Sequence, residues 1–173
     1  MATSSGSRAH DLFRPPRCPL TGDQPRLDRG ALTKTVHLPA VRFDKRLTGP
    51  CLKALRRLSA PRKHLRLRSS GPEDPDEKVL LLDPDLVSAD DPASLGEQGL
   101  EFLRQHGLEG KFGHYPLAMG YEDWSSEEVL GSLLPQGVEV PTGFSRVGHI
   151  IHLNLRPEHL KYKHVIGRSV SQL

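Results

Sequence analysis

Apolar residues in this chain come in short, separated groups whose spacing changes from one stretch to the next. Over residues 34–43 they alternate with polar ones, first Val36 and Leu38, then Val41 and Phe43. A period of two predicts a strand. Pro39 interrupts it, so the stretch reads as an edge strand or as two short extended pieces. Over residues 50–58 the spacing becomes helical. Cys51, Leu52, Leu55 and Leu58 share one stripe, and Lys53, Arg56 and Arg57 fall on the other side. Pro50 suits the first helical position and Pro61 ends the run. Residues 64–68 alternate strictly, which predicts a short strand. An acidic loop with Gly and Pro follows over 69–76. Residues 79–82 then predict a buried strand, ended by Asp83 and Pro84.

Residues 92–106 predict a second helix. Asp91 is its cap, Pro92 takes the first position, and Leu95, Leu100, Phe102 and Leu103 form its apolar side. Gly107 is a fitting stop. Residues 113–121 read as extended. From Trp124 a third helix runs through Leu133 and Leu134 to Pro135, and Ser125 with Glu128 matches a capping box. Residues 147–155 read as one extended segment, with Val147, Ile151, Leu153 and Leu155 towards one face. Pro157 opens a last turn or helix. The order β-α-β-β-α-β-α-β-α predicts an α+β fold, a small mixed domain of short strands and three to four helices. The expected limits are a disordered tail over 1–30, an α+β domain over 31–142, and a separate segment over 143–173.

Composition trims the picture. The chain has 173 residues, 36% of them hydrophobic, with 16 glycines and 15 prolines. That allows a modest core and implies much loop. The longest apolar run is four residues, far from the ~20 of a membrane span. Two cysteines, Cys18 and Cys51, do not make a disulfide scaffold. The first 17 residues lack the apolar stretch of a secretory signal. Their arginines and serines read either as a weak mitochondrial presequence or as a disordered tail.

Charge is segregated. Residues 1–68 hold 16 Lys and Arg against 4 Asp and Glu, residues 69–146 hold 4 against 16, and residues 147–173 hold 4 against 1. The densest basic run, 42–68, contains Lys45, Arg46, Lys53, Arg56, Arg57, Arg62, Lys63, Arg66 and Arg68. Such density fits contact with a phosphate backbone, or a solvated face balanced by the acidic stretch. The candidate RNA-binding residues are Lys53, Arg56, Arg57, Arg62, Lys63, Arg66 and Arg68. No aromatic residue interleaves them, so a base-stacking platform is not expected.

Catalytic chemistry has no signature here. There is no Gly-x-Ser-x-Gly elbow, no Walker phosphate loop and no Gly-x-Gly-x-x-Gly turn. His149 and His152 would point to opposite faces of a strand, and with His159 and His164 they lack the Cys or carboxylate partners of a zinc site. No catalytic, cofactor-binding or metal-binding residue is assigned. The chain reads as a binding part.

The C-terminal third carries a long motif: Val147-Gly-His-Ile-x-His-Leu-Asn-Leu-Arg156, then Lys163-His-x-Ile-Gly167. It resembles the signature of eukaryotic tRNA (guanine37-N1)-methyltransferases, a version of which occurs in the wybutosine-synthesis relatives. Upstream pieces agree in order: Leu27-Asp-Arg29, Lys34-Thr-Val-His-Leu-Pro39, Leu81-Leu-Asp-Pro84, Ser126-Glu-Glu-Val-Leu130 and Leu133-Leu-Pro135. The resemblance spans about residues 27–167.

The resemblance implies a family that methylates N1 of the guanine 3′ of the anticodon with S-adenosylmethionine. It implies tRNA as partner, a monomer off the membrane, and residence in cytoplasm, mitochondrial matrix and nucleus. It also implies an N-terminal part, a linking domain that begins at the motif, and a methyltransferase domain downstream. After Gly167 the sequence reads Arg-Ser-Val-Ser-Gln-Leu and departs from the pattern. The expectation is therefore a truncated member, with the linking domain incomplete and the methyltransferase domain absent. Such a chain keeps the tRNA-facing part, binds no cofactor and is inactive alone. A stand-alone RNA-binding or adaptor protein, or a non-functional splice fragment, is the other reading.

Overall fold

The computed structural model describes residues 11–22, 25–141 and 143–170. The chain divides into two compact units: Val36–Leu117 together with Phe13 and its neighbours, and Arg14–Thr35 together with the residues from Ala118 onward. Helices and strands mix as the spacing predicts, and the class is α+β.

The first unit is built on a four-stranded sheet in the order β2-β3-β1-β4. Its strands are β1 (Lys34–Asp44), β2 (Leu67–Ser69), β3 (Glu77–Leu81) and β4 (Phe112–Met119). β1 and β3 run antiparallel with Ala40 opposite Leu81 and Asp44 opposite Glu77, and β2 and β3 are antiparallel with Leu67 opposite Leu80. β1 is one continuous interior strand, where sequence suggested an edge or two pieces. Pro39 is tolerated because it stands opposite Leu82, one residue beyond the end of β3, so its missing N–H costs that ladder a single terminal bond. Its carbonyl still accepts from Leu82 N at 2.8 Å. The switch from Val36 and Leu38 to Val41 and Phe43 is a change of buried face, with all four side chains inside.

Two helices close the core of this unit. α1 (Thr48–Leu55) continues as a 3-10 turn, Arg56–Leu58. α2 (Gly96–His106) follows a 3-10 turn, Pro92–Leu95, whose cap Asp91 accepts from Ala93 N at 3.0 Å. Gly107 ends α2 in the left-handed conformation, as its position suggests. Val41, Phe43 and Leu80 from the sheet meet Cys51 and Leu55 of α1 and Phe102 and Leu103 of α2 in one buried cluster. The strand expected over 64–68 is shorter and later: residues 63–65 form a turn, and pairing begins at Leu67.

The second unit packs α3 (Ser126–Leu133), the hairpin β5 (Phe144–Val147) and β6 (Ile150–Leu153), and α4 (Lys163–Val170), which follows a 3-10 turn, Pro157–Tyr162. The capping box is realised. Glu128 N donates to Ser125 Oγ at 3.2 Å and Ser125 N to Glu128 Oε2 at 2.8 Å. Leu130, Leu134, Tyr162, Ile166 and Val170 form the core, with Ile151, Leu153 and Leu155 against it.

Part of the stretch 1–30 belongs to this unit, while residues 1–10 and 23–24 lie outside the described residues. A helix leaves its last carbonyls without intrahelical partners. In α3 the chain before β1 supplies them. Arg17 donates to Gly131 O, Cys18 N to Ser132 O at 3.1 Å, and Leu20 N to Leu133 O at 2.7 Å. These are mostly backbone bonds, so no apolar period announces them. Trp124 Nε1 donates to Leu32 O at 2.9 Å in the same unit.

The segment 147–155 is not one strand. Gly148, with φ near +59°, turns it back, and Val147 pairs with Ile150. A two-residue turn puts paired residues on one face, so Val147 shares Ile150's side and not that of Ile151. Both Val147 and Ile150 are exposed, at 74% and 60%.

Candidate nucleic-acid interface

The basic run is sorted by the fold into cations that are engaged and cations that are presented. Lys45 pairs with Asp76, whose hydrogen bond and charge raise the lysine's pKa. Arg46 lies 4.0 Å from Asp44, which also caps the short turn Lys45–Leu47 by accepting from Arg46 N. Arg66 is half-buried, and its guanidinium donates to Ala60 O at 2.6 Å and to Pro61 O at 3.5 Å. Arg62 is half-buried too. It donates to Phe13 O at 2.6 Å and lies 5.9 Å from the centre of the Phe13 ring. Arg68 sits half-buried on β2, opposite Val79. Arg62 and Arg66 thereby brace the turn after α1.

Lys53, Arg56, Arg57 and Lys63 are exposed. Their side chains carry no ion pair among the described residues. Lys53, Arg56 and Arg57 stand at i, i+3 and i+4 along α1 and its 3-10 extension, a spacing that gathers them on one face. The opposite stripe holds them there, because Cys51 and Leu55 are fully buried. Burial also pushes the Cys51 thiol up to about 12, which makes it an inert part of the core. The result is a fixed cationic ridge without aromatic neighbours on its own helix, suited to phosphates and silent towards bases.

Among the described residues no group of His, Cys, Asp and Glu could hold a metal ion, and no helix is long and apolar enough to cross a membrane. His159 is buried and structural. Its Nδ1 accepts from Arg156 N at 3.2 Å, which fixes Nε2–H as the donor to Glu139 O at 2.8 Å.

A second cationic surface escapes the reading by density. In the second unit a groove of about 1060 Å³ is lined by Arg26, Lys161, Lys163, His164 and Arg168, with apolar Leu27 and Leu160. Its cations come from two distant stretches, so no window of sequence shows them together. The one available signal is the recurrence of Lys161, Lys163 and Arg168 around Val165 and Ile166, basic outside and apolar inside.

Comparison with known proteins bears on the whole chain. It is 36% identical over 166 residues to the tRNA (guanine(37)-N(1))-methyltransferase of Homo sapiens, covering 96% of this chain and 32% of that protein. With the Mus musculus protein of the same name it shares 37% over 161 residues, 93% of this chain and 31% of the relative. By sequence this chain is similar to one part of the tRNA (guanine(37)-N(1))-methyltransferases. The similarity reaches Phytophthora infestans, at 32% over 155 residues. The family described as TYW2 N-terminal domain matches residues 126–173. The chain spans about a third of the length of the curated relatives it matches. No solved structure matches it.

Proposed function

We propose that this chain is the tRNA-facing N-terminal part of a tRNA (guanine37-N1)-methyltransferase, that it holds the tRNA by its phosphates, and that it does not methylate by itself. The observation that carries this reading is the alignment with relatives of that name over nearly all of the chain. The exposed ridge of Lys53, Arg56 and Arg57, with Lys63 exposed on the following turn, supports it, since cations held on a rigid helix suit a phosphate backbone. Residues 143–173 are the opening of a linking domain on the same reading.

S-adenosylmethionine is the methyl donor that the reading implies for the intact family. A doubly wound methyltransferase holds it at the ends of parallel strands beside a glycine-containing turn. The described residues do not fit that group: β1, β2 and β3 pair antiparallel, and the C-terminal strands are a two-stranded hairpin. No step through the cofactor is assigned to this chain.

The test is binding of a tRNA transcript across a salt series. Replacing Arg56 and Arg57 by Ala should weaken binding and lower the slope of log K against log salt by roughly 0.7–0.9 per lost phosphate contact. An unchanged slope would assign these arginines to solvent. Methyl transfer by the 173-residue chain alone would overturn the non-catalytic part.

A further inference from the structure

The groove in the second unit has a charge balance that neither its size nor its depth explains. Pro25, Arg26 and Leu27 form one wall, and Leu160 to Arg168 form the other. On the second wall the buried residues are Tyr162, Val165 and Ile166, two of them in the core cluster, so the backbone is anchored from beneath. Lys161, Lys163 and His164 are thereby turned outward. No carboxylate lines the groove among the described residues. The acids next to the lining in sequence are engaged: Asp28 accepts from Gly30 N at 2.9 Å and from Ala31 N at 3.4 Å, and Glu158 lies 4.0 Å from Arg156. Arg26, Lys161 and Lys163 carry no ion pair among the described residues and remain exposed. Three cations face one channel whose described lining holds no acid.

Such a channel selects an extended anion. No Phe, Tyr or Trp lines it, so beyond the His164 imidazole there is no broad platform for bases, and it is an open groove rather than an enclosed pocket for a small ligand. A phosphodiester strand meets both conditions, because it offers a charge at every residue and can run along an open groove. We propose that this groove is a second RNA contact, in which Arg26, Lys161 and Lys163 hold consecutive phosphates of a tRNA strand. The proposal rests on the tRNA-binding reading above, and it gives part of the C-terminal motif, the stretch around Lys163 and His164, a direct role in binding. Polar positions of the motif face the strand while Val165 and Ile166 hold the helix down.

The experiment uses the 173-residue chain and a tRNA transcript in a salt series, with four proteins: wild type, R56A/R57A, R26A/K161A/K163A, and all five replacements together. The groove variant should bind at least about tenfold more weakly near physiological salt and lose roughly two to three units of slope. Combined with the ridge variant, the losses should multiply. The three side chains are exposed, so circular dichroism should be unchanged. Lysine acetylation read by mass spectrometry should show Lys161 and Lys163 protected when tRNA is present. If the ridge variant weakens binding while the groove variant keeps affinity, slope and acetylation unchanged, the groove proposal fails and the tRNA-binding reading stands. If wild type binds no tRNA, both fail. If only the groove variant loses affinity, the groove is the contact and the ridge is not.

Discussion

Leu55 and Gly99 touch where α1 crosses α2: a methyl carbon built on Gly99 would lie 2.9 Å from Leu55 Cδ2 and 2.7 Å from Leu95 Cβ. The helices approach this closely because the glycine has no side chain. The approach seats the buried stripe of α1, and with it the cationic ridge on the opposite face. Gly99→Ala should destabilise the first unit by about 1–2 kcal/mol. Overpacking costs roughly 1–3 kcal/mol, and the better helix propensity of Ala returns up to about 1. Urea unfolding decides it. An alanine variant as stable as wild type would show that the two helices part without cost.

Ile150 and Ile151 are neighbours on β6 with opposite fates. Ile151 packs against the core of the second unit, while Ile150 is 60% exposed. Ile151→Ala should lower stability by about 1–2 kcal/mol, less than the full cost at a buried site because it is only half-covered. Ile150→Ala should change it by less than about 0.5 kcal/mol. Equal losses from both would mean the hairpin is covered on both faces.

Glu77 gives the fold an acid-sensitive joint. Hydrogen bonds from Ser70 and from Lys111, the latter at 2.9 Å, hold its carboxyl below the ordinary value, and Arg42 adds its charge. The folded value lies below the unfolded one. The stabilisation is therefore whole above about 4.3, the unfolded glutamate's value, and is lost as pH falls through the folded value. Glu77→Gln should lower stability by about 0.5–1 kcal/mol at neutral pH, the scale of a partly exposed pair. Its deficit should vanish in acid. A deficit that stays constant from neutral pH to about 3 would contradict the charge assignment.

The two thiols should report on folding separately. Cys51 is fully buried with its pKa pushed up to about 12, whereas Cys18 is only partly covered and donates to Ala31 O. At about pH 8 a thiol reagent should modify Cys18 in the native chain and reach Cys51 only at the rate of unfolding. Equal rates at both would show that the core opens around α1.

The elements that sequence makes legible are those whose signal is local. The stripe of Cys51, Leu52, Leu55 and Leu58, the cap at Asp91, the stop at Gly107 and the box of Ser125 with Glu128 all act within a few residues, and all occur where their spacing places them. Two features are not legible for opposite reasons. The turn at Gly148 hides inside a run that keeps alternating, so the change of face between Val147 and Ile151 leaves no trace in the pattern. Pro39 sends a trace that misleads, since at the end of a ladder it costs one bond without breaking the strand. In the interface the count of basic residues is legible. Which of them are engaged is not, because Lys45 meets Asp76 and Arg62 meets Phe13 only through the fold.

The end of α3 has a consequence for how the chain is made. Arg17 and the carbonyl of Gly131 are 114 positions apart, and Cys18 and Leu20 wait for Ser132 and Leu133 in the same way. Residues 36–117 hold nearly all of the first unit and emerge from the ribosome together, so that unit can fold while synthesis continues. The partners of residues 17–20 do not yet exist at that moment. Their donors must stay hydrated until residues 131–133 are translated, and closing so distant a contact makes it a late event in folding. The second unit is thus a late-completing body whose first segment is made long before the rest of it.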